Sequence, residues 1–158
     1  MPSSVPFRTL ALSAPLLENL ASLGYEQMTP IQLAALQPML EGHDVIAQAK
    51  TGSGKTAAFG LGILQGLSAS SQELQALVLC PTRELADQVS REIRALARSI
   101  PNVKLLTLCG GVPIRTHRDA LSHGAHIAVG TPGRLRALVE REHLGLAALQ
   151  VVVPMVAG

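Results

Sequence analysis

The chain has 158 residues, a length that suits one domain with a buried core. Hydrophobic residues make up 47% and charged residues 15%, which excludes an intrinsically disordered or highly charged polypeptide. The formal net charge of +2 is too small to indicate nucleic-acid binding, so that argument depends on where the arginines lie. Because neither a signal peptide nor an apolar run of about 18 residues is present, we predict no membrane span and expect a cytoplasmic protein.

Two helices are predicted before the first strand. The first covers residues 13–23. For the second, Thr29 is a suitable N-cap and Pro30 fits the first turn, which predicts a helix over residues 31–40 that closes at Gly42.

A glycine-rich loop follows the first predicted strand, residues 44–49, and precedes another predicted helix. Its glycines let successive backbone N–H groups turn toward phosphates, Lys55 has the length to reach the β- and γ-phosphates, and the Thr56 hydroxyl suits Mg²⁺. The helix that follows adds the positive end of its dipole. Nucleotide binding is therefore the first functional hypothesis. The loop consists of Ala49, Lys50, Thr51, Gly52, Ser53, Gly54, Lys55 and Thr56.

Four more apolar runs predict strands over residues 76–80, 104–109, 126–130 and 149–153. Their near-continuous hydrophobicity is typical of strands covered on both faces, as in a parallel sheet. Residues 83–99 carry apolar side chains at three- and four-residue spacing, which predicts an amphipathic helix. The alternation predicts an α/β fold with a doubly wound, mostly parallel sheet, helices on both faces and ligands at the carboxyl ends of the strands.

The cysteines and histidines do not form a metal-binding pattern. Cys80 and Cys109 each end an apolar run, so we expect reduced thiols that pack in the core. The histidines lack the cysteine or carboxylate arrangement of a zinc site, and no structural metal is predicted.

Residues upstream of the loop are suited to adenine recognition. The Gln32 amide can donate and accept together, which matches the N6 and N7 edge of adenine, and aromatic rings such as Phe7 and Tyr25 offer stacking faces. The simpler alternative is that Phe7 only anchors the N-terminal arm and Gln32 is a solvated helix residue.

Taken together, the motifs resemble those of the DEAD-box RNA helicases, and within that family the DbpA type. The resemblance covers nearly the whole chain and implies the first RecA-like domain, a P-loop NTPase fold; an alanine at position 49 is normal for the family. The matching segments are Phe7, residues 24–25 and 29–32 for the Q motif, 49–56 for motif I, 81–86 for motif Ia, 110–111 for the glycine doublet and 131–134 for motif Ib.

The resemblance implies a role for each matched residue, with Lys55 and Thr56 in catalysis and Thr56 as a ligand of Mg²⁺. The implied ATP-binding residues are Phe7, Tyr25, Thr29, Gln32, Ala49, Lys50, Thr51, Gly52, Ser53, Gly54, Lys55 and Thr56. The implied RNA-binding residues are Pro81, Thr82, Arg83, Gly110, Gly111, Thr131, Pro132, Gly133 and Arg134. Hydroxyls, glycine amides and arginines suit phosphate and 2′-OH contacts, so we expect sequence-tolerant, salt-sensitive binding, to ribosomal RNA by family resemblance.

The family pattern breaks after the last predicted strand. An acidic motif II is expected there, whereas residues 154–158 read Pro-Met-Val-Ala-Gly. Motif III, the second RecA-like domain and the RNA-recognition domain of the DbpA type lie outside these 158 residues. We therefore expect residues 1–42 to form an arm with the Q-motif helices and residues 43–158 an incomplete core, marginally stable because a sheet strand is missing and inactive as an ATPase by itself.

Two alternatives remain open. The chain could be a non-catalytic module that binds adenine nucleotide or RNA weakly without turnover. It could also be an unrelated P-loop kinase or metabolic NTPase, which would leave the adenine-reading and RNA-binding segments unexplained. Neither the RNA target nor the oligomeric state follows from the sequence.

Overall fold

The computed structural model describes residues 5–46 and 54–155. The described residues divide into two compact units. The first unit holds the residues up to Gly66 together with Glu92–Pro101, and the second holds Leu67–Arg91 and the residues from Asn102 onward. In these described ranges, none of the helices has the length and hydropathy needed to cross a bilayer.

Helices form the first unit, and the two predicted upstream helices are confirmed. A 3-10 turn at Phe7–Thr9 precedes α1 (Ala14–Ser22), α2 (Pro30–Leu40) and α3 (Lys55–Gln65). Thr29 is the N-cap of α2, as expected, and Pro30 occupies its first turn. The unit is held in part by Asn19, a buried residue of α1, whose amide donates to the backbone carbonyls of Ala95 and Leu96 at 2.7 and 2.9 Å.

The second unit contains a parallel sheet, as predicted. Its strands are β1 (Ala76–Leu79), β2 (Leu105–Leu108), β3 (Ile127–Gly130) and β4 (Val151–Pro154). The helices are α4 (Arg83–Leu96), α5 (Ile114–Leu121) and α6 (Pro132–Glu140), and the last turns of α4 belong to the first unit. The strand order is β2-β3-β1-β4, and all three pairings are parallel.

The register aligns the carboxyl ends of the strands. Gly130 ends β3 and pairs with Leu79 of β1 on one side and Leu108 of β2 on the other. Because three neighbouring strands end at the same level, the segments that follow them begin side by side at one edge of the sheet. This is the edge at which doubly wound sheets bind ligands.

Three sequence-based expectations need correction. A strand was predicted over residues 44–49, but residues 44–46 pair with none of the described strands, and Ile46 is 98% exposed. Residues 47–49 lie outside the described part. The last strand is Val151–Pro154, and it is not covered on both faces, because it is a border strand of the described sheet and Val152 is 50% exposed. The amphipathic helix ends at Leu96, short of residue 99.

A close backbone approach explains why β3 ends in glycine. A methyl group at Gly130 would overlap the backbone carbonyl of Leu108 and crowd the Leu135 side chain. We therefore expect Gly130→Ala to destabilise the chain by about 1–3 kcal/mol, the usual cost of inserting a methyl group into a packed core.

The matched control is Gly145→Ala, because no atom lies near its added methyl group and its backbone is not left-handed. Its unfolding free energy should stay within about 0.5 kcal/mol of the parent value in urea or thermal melts. Equal stability of the two variants would contradict the packing argument.

Candidate functional sites

In the first unit, Gln32 joins the start of α2 to the start of α3. The Gln32 side-chain oxygen accepts from the Thr29 backbone N–H at 2.9 Å, and the Thr29 hydroxyl accepts from the Gln32 backbone N–H at 3.4 Å, which forms a capping box. The Gln32 amide nitrogen donates to the backbone carbonyl of Gly54 at 3.2 Å. Gln32 is 1% exposed, so it is not the solvated residue of the simpler alternative.

Gly54 begins α3 in a conformation that favours glycine. Its φ is +89°, and a methyl group there would overlap the Gln32 amide. Among the described residues no side chain caps α3, and its first turn carries no acidic residue. The N–H groups of this turn have no acceptor within the helix, and together with Lys55 and the Thr56 hydroxyl they are suited to an anion.

Phe7 and Tyr25 contact each other rather than standing apart. Their rings meet edge to face with centroids 6.2 Å apart. Phe7 is buried and Tyr25 is 37% exposed, so Tyr25 has the more accessible ring. The Phe7 backbone N–H also donates to the Glu26 carbonyl at 3.2 Å, which fixes the N-terminal arm beside the segment that leads to Thr29.

Part of the predicted phosphate loop lies outside the described residues, namely Ala49, Lys50, Thr51, Gly52 and Ser53. Their assignment to ATP stays a prediction. The structure locates Gln32, Gly54, Lys55 and Thr56 in the first unit, at the adjoining starts of α2 and α3.

In the second unit, the predicted RNA-binding residues follow the aligned strand ends. Each segment comes directly after β1, β2 or β3, as the parallel topology requires. The residues so placed are Pro81, Thr82 and Arg83 after β1, Gly110 and Gly111 after β2, and Thr131, Pro132, Gly133 and Arg134 after β3.

Arg83 connects the start of α4 to the segment after β2 through a hydrogen bond. Its guanidinium donates to the Gly110 carbonyl at 2.5 Å. Gly111 adopts a φ of +98°, and a methyl group at this position would occupy the space of the same guanidinium. The Thr82 hydroxyl caps α4 by accepting from the Leu85 backbone N–H at 3.1 Å. The glycine doublet therefore allows Arg83 to lie against the backbone.

Arg134 holds the same segment from the β3 side. Its guanidinium donates to the Val112 carbonyl at 2.9 Å and contacts Nδ1 of His117 at 3.0 Å. His117 lies in α5 and is 8% exposed. Residues 110–112, called the glycine-doublet loop below, are thus bonded to arginines from two separate helices.

The two cysteines are free and buried, as expected for thiols in a core. Burial raises the pKa of Cys80 to about 11, with a smaller effect from Cys109. Burial also raises the pKa of Cys109, while the neighbouring Thr131 acts in the opposite direction. Both thiols are therefore protonated near neutral pH and poor nucleophiles.

His117 has none of the functional roles predicted from the sequence. Ile114, His117 and Leu121 lie three and four residues apart on α5, so they share a helix face. That spacing indicates an inward-facing histidine, but nothing in the sequence indicates its partner. Within the two described ranges, no three histidine, cysteine or acidic side chains gather into a group that could hold a metal ion.

Comparison with known proteins identifies the family. Residues 29–154 match the family model described as DEAD/DEAH box helicase. Because this match covers most of the chain, the chain belongs to the DEAD/DEAH box helicase family.

Particular relatives agree with this membership. The chain is 58% identical over 148 residues to the ATP-dependent RNA helicase DbpA of Escherichia coli, covering 93% of this chain and 32% of the relative. It is 45% identical over 147 residues to the DEAD-box ATP-dependent RNA helicase CshA of Streptococcus pneumoniae, covering 93% of this chain and 28% of the relative. The chain thus spans about a third of the length of these curated relatives.

Solved structures confirm the RecA-like fold. A DEAD box protein from Methanococcus jannaschii superposes with a TM-score of 0.90 at 34% identity, covering 96% of this chain and 42% of the other. A point variant of S. cerevisiae Dbp5, bound to RNA and ADP BeF3, superposes with a TM-score of 0.82 at 27% identity, covering 94% and 37%.

Proposed function

We propose that this chain is the N-terminal ATP-binding and RNA-binding domain of an ATP-dependent RNA helicase of the DEAD-box family. Family membership supports the proposal, because the relatives DbpA and CshA are named as ATP-dependent RNA helicases. The observation that carries it in this chain is the bond from Gln32 to Gly54, because it connects the segment suited to adenine with the helix end suited to phosphate.

The nucleotide half of the proposal assigns a task to each located residue. Lys55 and the backbone N–H groups at the start of α3 bind the phosphates. The Thr56 hydroxyl would supply one oxygen ligand to Mg²⁺. Two of the polar groups of Gln32 are bonded to Thr29 and Gly54, so its second amide hydrogen and its remaining oxygen lone pair are the groups left for adenine.

Nucleotide binding tests this half by isothermal titration of the 158-residue chain with Mg·ATP, Mg·ADP and Mg·GTP. Lys55→Ala should weaken ATP binding by about tenfold or more, because the variant has no charged group to bond the phosphates. Gln32→Ala should bring the ratio of ATP to GTP affinity close to one.

The controls are Arg98→Ala, an exposed arginine of the same unit, and Gln37→Ala, an exposed glutamine of α2. Both should bind ATP like the parent chain. Because Gln32→Ala also removes a helix cap, its melting curve is recorded and the titration is done where it is folded. Absence of heat with either adenine nucleotide on folded chain would overturn the assignment.

The RNA half follows from the aligned strand ends. Arg83, Arg134 and the hydroxyls of Thr82 and Thr131 are hydrogen-bonding groups that suit phosphate and 2′-OH, and they carry little base information. Gly111 and Gly133 are exposed at this edge, and Gly110 is partly buried. We propose RNA as the partner, bound through its backbone, with ribosomal RNA as the natural source by relationship to the DbpA type.

RNA binding is measured by fluorescence anisotropy with a short labelled oligouridine over a range of salt concentrations. Arg83→Ala should weaken binding and reduce the slope of log affinity against log salt by roughly 0.7 for each phosphate that the variant no longer neutralises. Arg141→Ala, an exposed arginine at the other end of α6, is the matched control and should leave both quantities unchanged. An affinity that does not change with salt would contradict backbone recognition.

Turnover is a separate question from binding. Residues 154–158 carry no carboxylate side chain, whereas phosphoryl transfer needs groups that hold Mg²⁺, position the attacking water and compensate charge. We therefore expect the 158-residue chain by itself to release phosphate from ATP no faster than a Lys55→Ala control, with or without RNA. The measurement is steady-state phosphate release, and RNA-stimulated turnover by the parent chain alone would show this expectation to be wrong.

A further inference from the structure

His117 is a buried histidine that none of the predicted roles explains. It lies on α5, is 8% exposed, and contacts Arg134 through Nδ1 at 3.0 Å. Arg134 also donates to the Val112 carbonyl at 2.9 Å. One guanidinium therefore connects α6, α5 and the glycine-doublet loop.

The chemistry of the pair determines the state of the ring. A guanidinium has five N–H donors and no acceptor, so the Nδ1 atom facing it must carry a lone pair. The imidazole is then neutral, with its proton on Nε2. A proton on Nδ1 would remove the acceptor and place a second cation about 3 Å from the first.

We propose that neutral His117 is a positioning residue for the RNA-binding edge: it holds Arg134 against the Val112 carbonyl, and its protonation releases the glycine-doublet loop and weakens RNA binding. The proposal rests on the RNA-binding function proposed above and adds an acid-sensitive hydrogen bond to it. The ligand class remains an RNA backbone.

The charges around His117 give the direction of the pH effect. Burial, followed by the Arg134 cation, lowers the pKa of His117 below its usual 6.5. On α6, Arg136 forms an ion pair with Glu140. On α5 itself, Arg118 pairs with Asp119, and Arg115 is exposed. Residues 110–113 contain no titratable side chain.

The sign follows from linkage. Below about pH 6.5 an unfolded histidine takes up a proton that the folded His117 resists, so folding becomes less favourable as the pH falls through this window. At neutral pH the hydrogen bond between Arg134 and His117 is intact. Once the pH falls below the lowered folded-state pKa, the proton binds and this hydrogen bond breaks.

The test uses the 158-residue chain with oligouridine anisotropy from about pH 7.5 to about pH 5.5. His117→Leu keeps an apolar, buried side chain but gives Arg134 no acceptor, so we expect RNA binding about tenfold weaker at neutral pH. His117→Gln retains an oxygen acceptor that does not titrate, so it should bind like the parent chain at neutral pH and lose less affinity on acidification.

His123→Gln is the matched control, because His123 is exposed just after α5. It should keep the acid sensitivity of the parent chain. Parent-like binding and an unchanged pH profile in His117→Leu, or full acid sensitivity in His117→Gln, would overturn the proposal.

NMR provides a readout that does not depend on RNA. Imidazole ¹⁵N shifts should show an Nε2–H tautomer for His117, and Arg134→Gln should raise the pKa of His117 toward 6.5. His117→Leu should move the amide resonances of Gly110 and Gly111. If the parent chain binds no RNA, the proposed function fails and NMR alone decides the positioning role, which unchanged Gly110 and Gly111 resonances would exclude.

Discussion

The parallel register of the sheet is the constraint on which the proposed RNA-binding edge depends. Gly130 pairs with both Leu79 and Leu108, so β1, β2 and β3 end at the same level. The segments that begin there are far apart in the chain, yet they begin side by side. A single extra residue in one strand would shift its following segment along the sheet and reverse the direction of its side chains.

The arginines at this edge have two tasks in this structure. The sequence predicts Arg83 and Arg134 as RNA-binding residues, and in the structure each donates to a backbone carbonyl of the glycine-doublet loop. A guanidinium has five donors, so it can bind a carbonyl and a phosphate at the same time. A substitution at either arginine would therefore change both the proposed RNA contact and the backbone that supports it.

In the first unit, Gln32 likewise has a structural task beside the adenine recognition proposed for it. Its amide completes a capping box with Thr29 and reaches Gly54, and these bonds explain why the residue is buried. Because a buried, bonded amide is already oriented, adenine would meet a preorganised group rather than a mobile one. Loss of Gln32 would consequently affect helix stability as well as the proposed nucleotide selectivity.

The sequence alone was sufficient for the features that depend on local chemistry. Thr29-Pro30 predicted the start of α2, and apolar runs predicted β1 to β4. The order of the motifs indicated the correct family and fold. The sequence was insufficient for features that depend on which elements pack beside each other. Val152 belongs to an apolar run, yet it is half exposed, because β4 borders the described sheet and hydrophobicity does not show which strands have neighbours on both sides.

Only the tertiary structure determined which polar groups meet. His117 shares a helix face with Ile114 and Leu121, which sequence spacing shows, but its partner lies 17 residues away on another helix. Gln32 and Gly54 are 22 residues apart, and Arg83 and Gly110 are 27 residues apart. Sequence periodicity indicates which face of a helix or strand a residue occupies. The residues that this face contacts are determined by how the elements pack, and that packing depends on the whole chain.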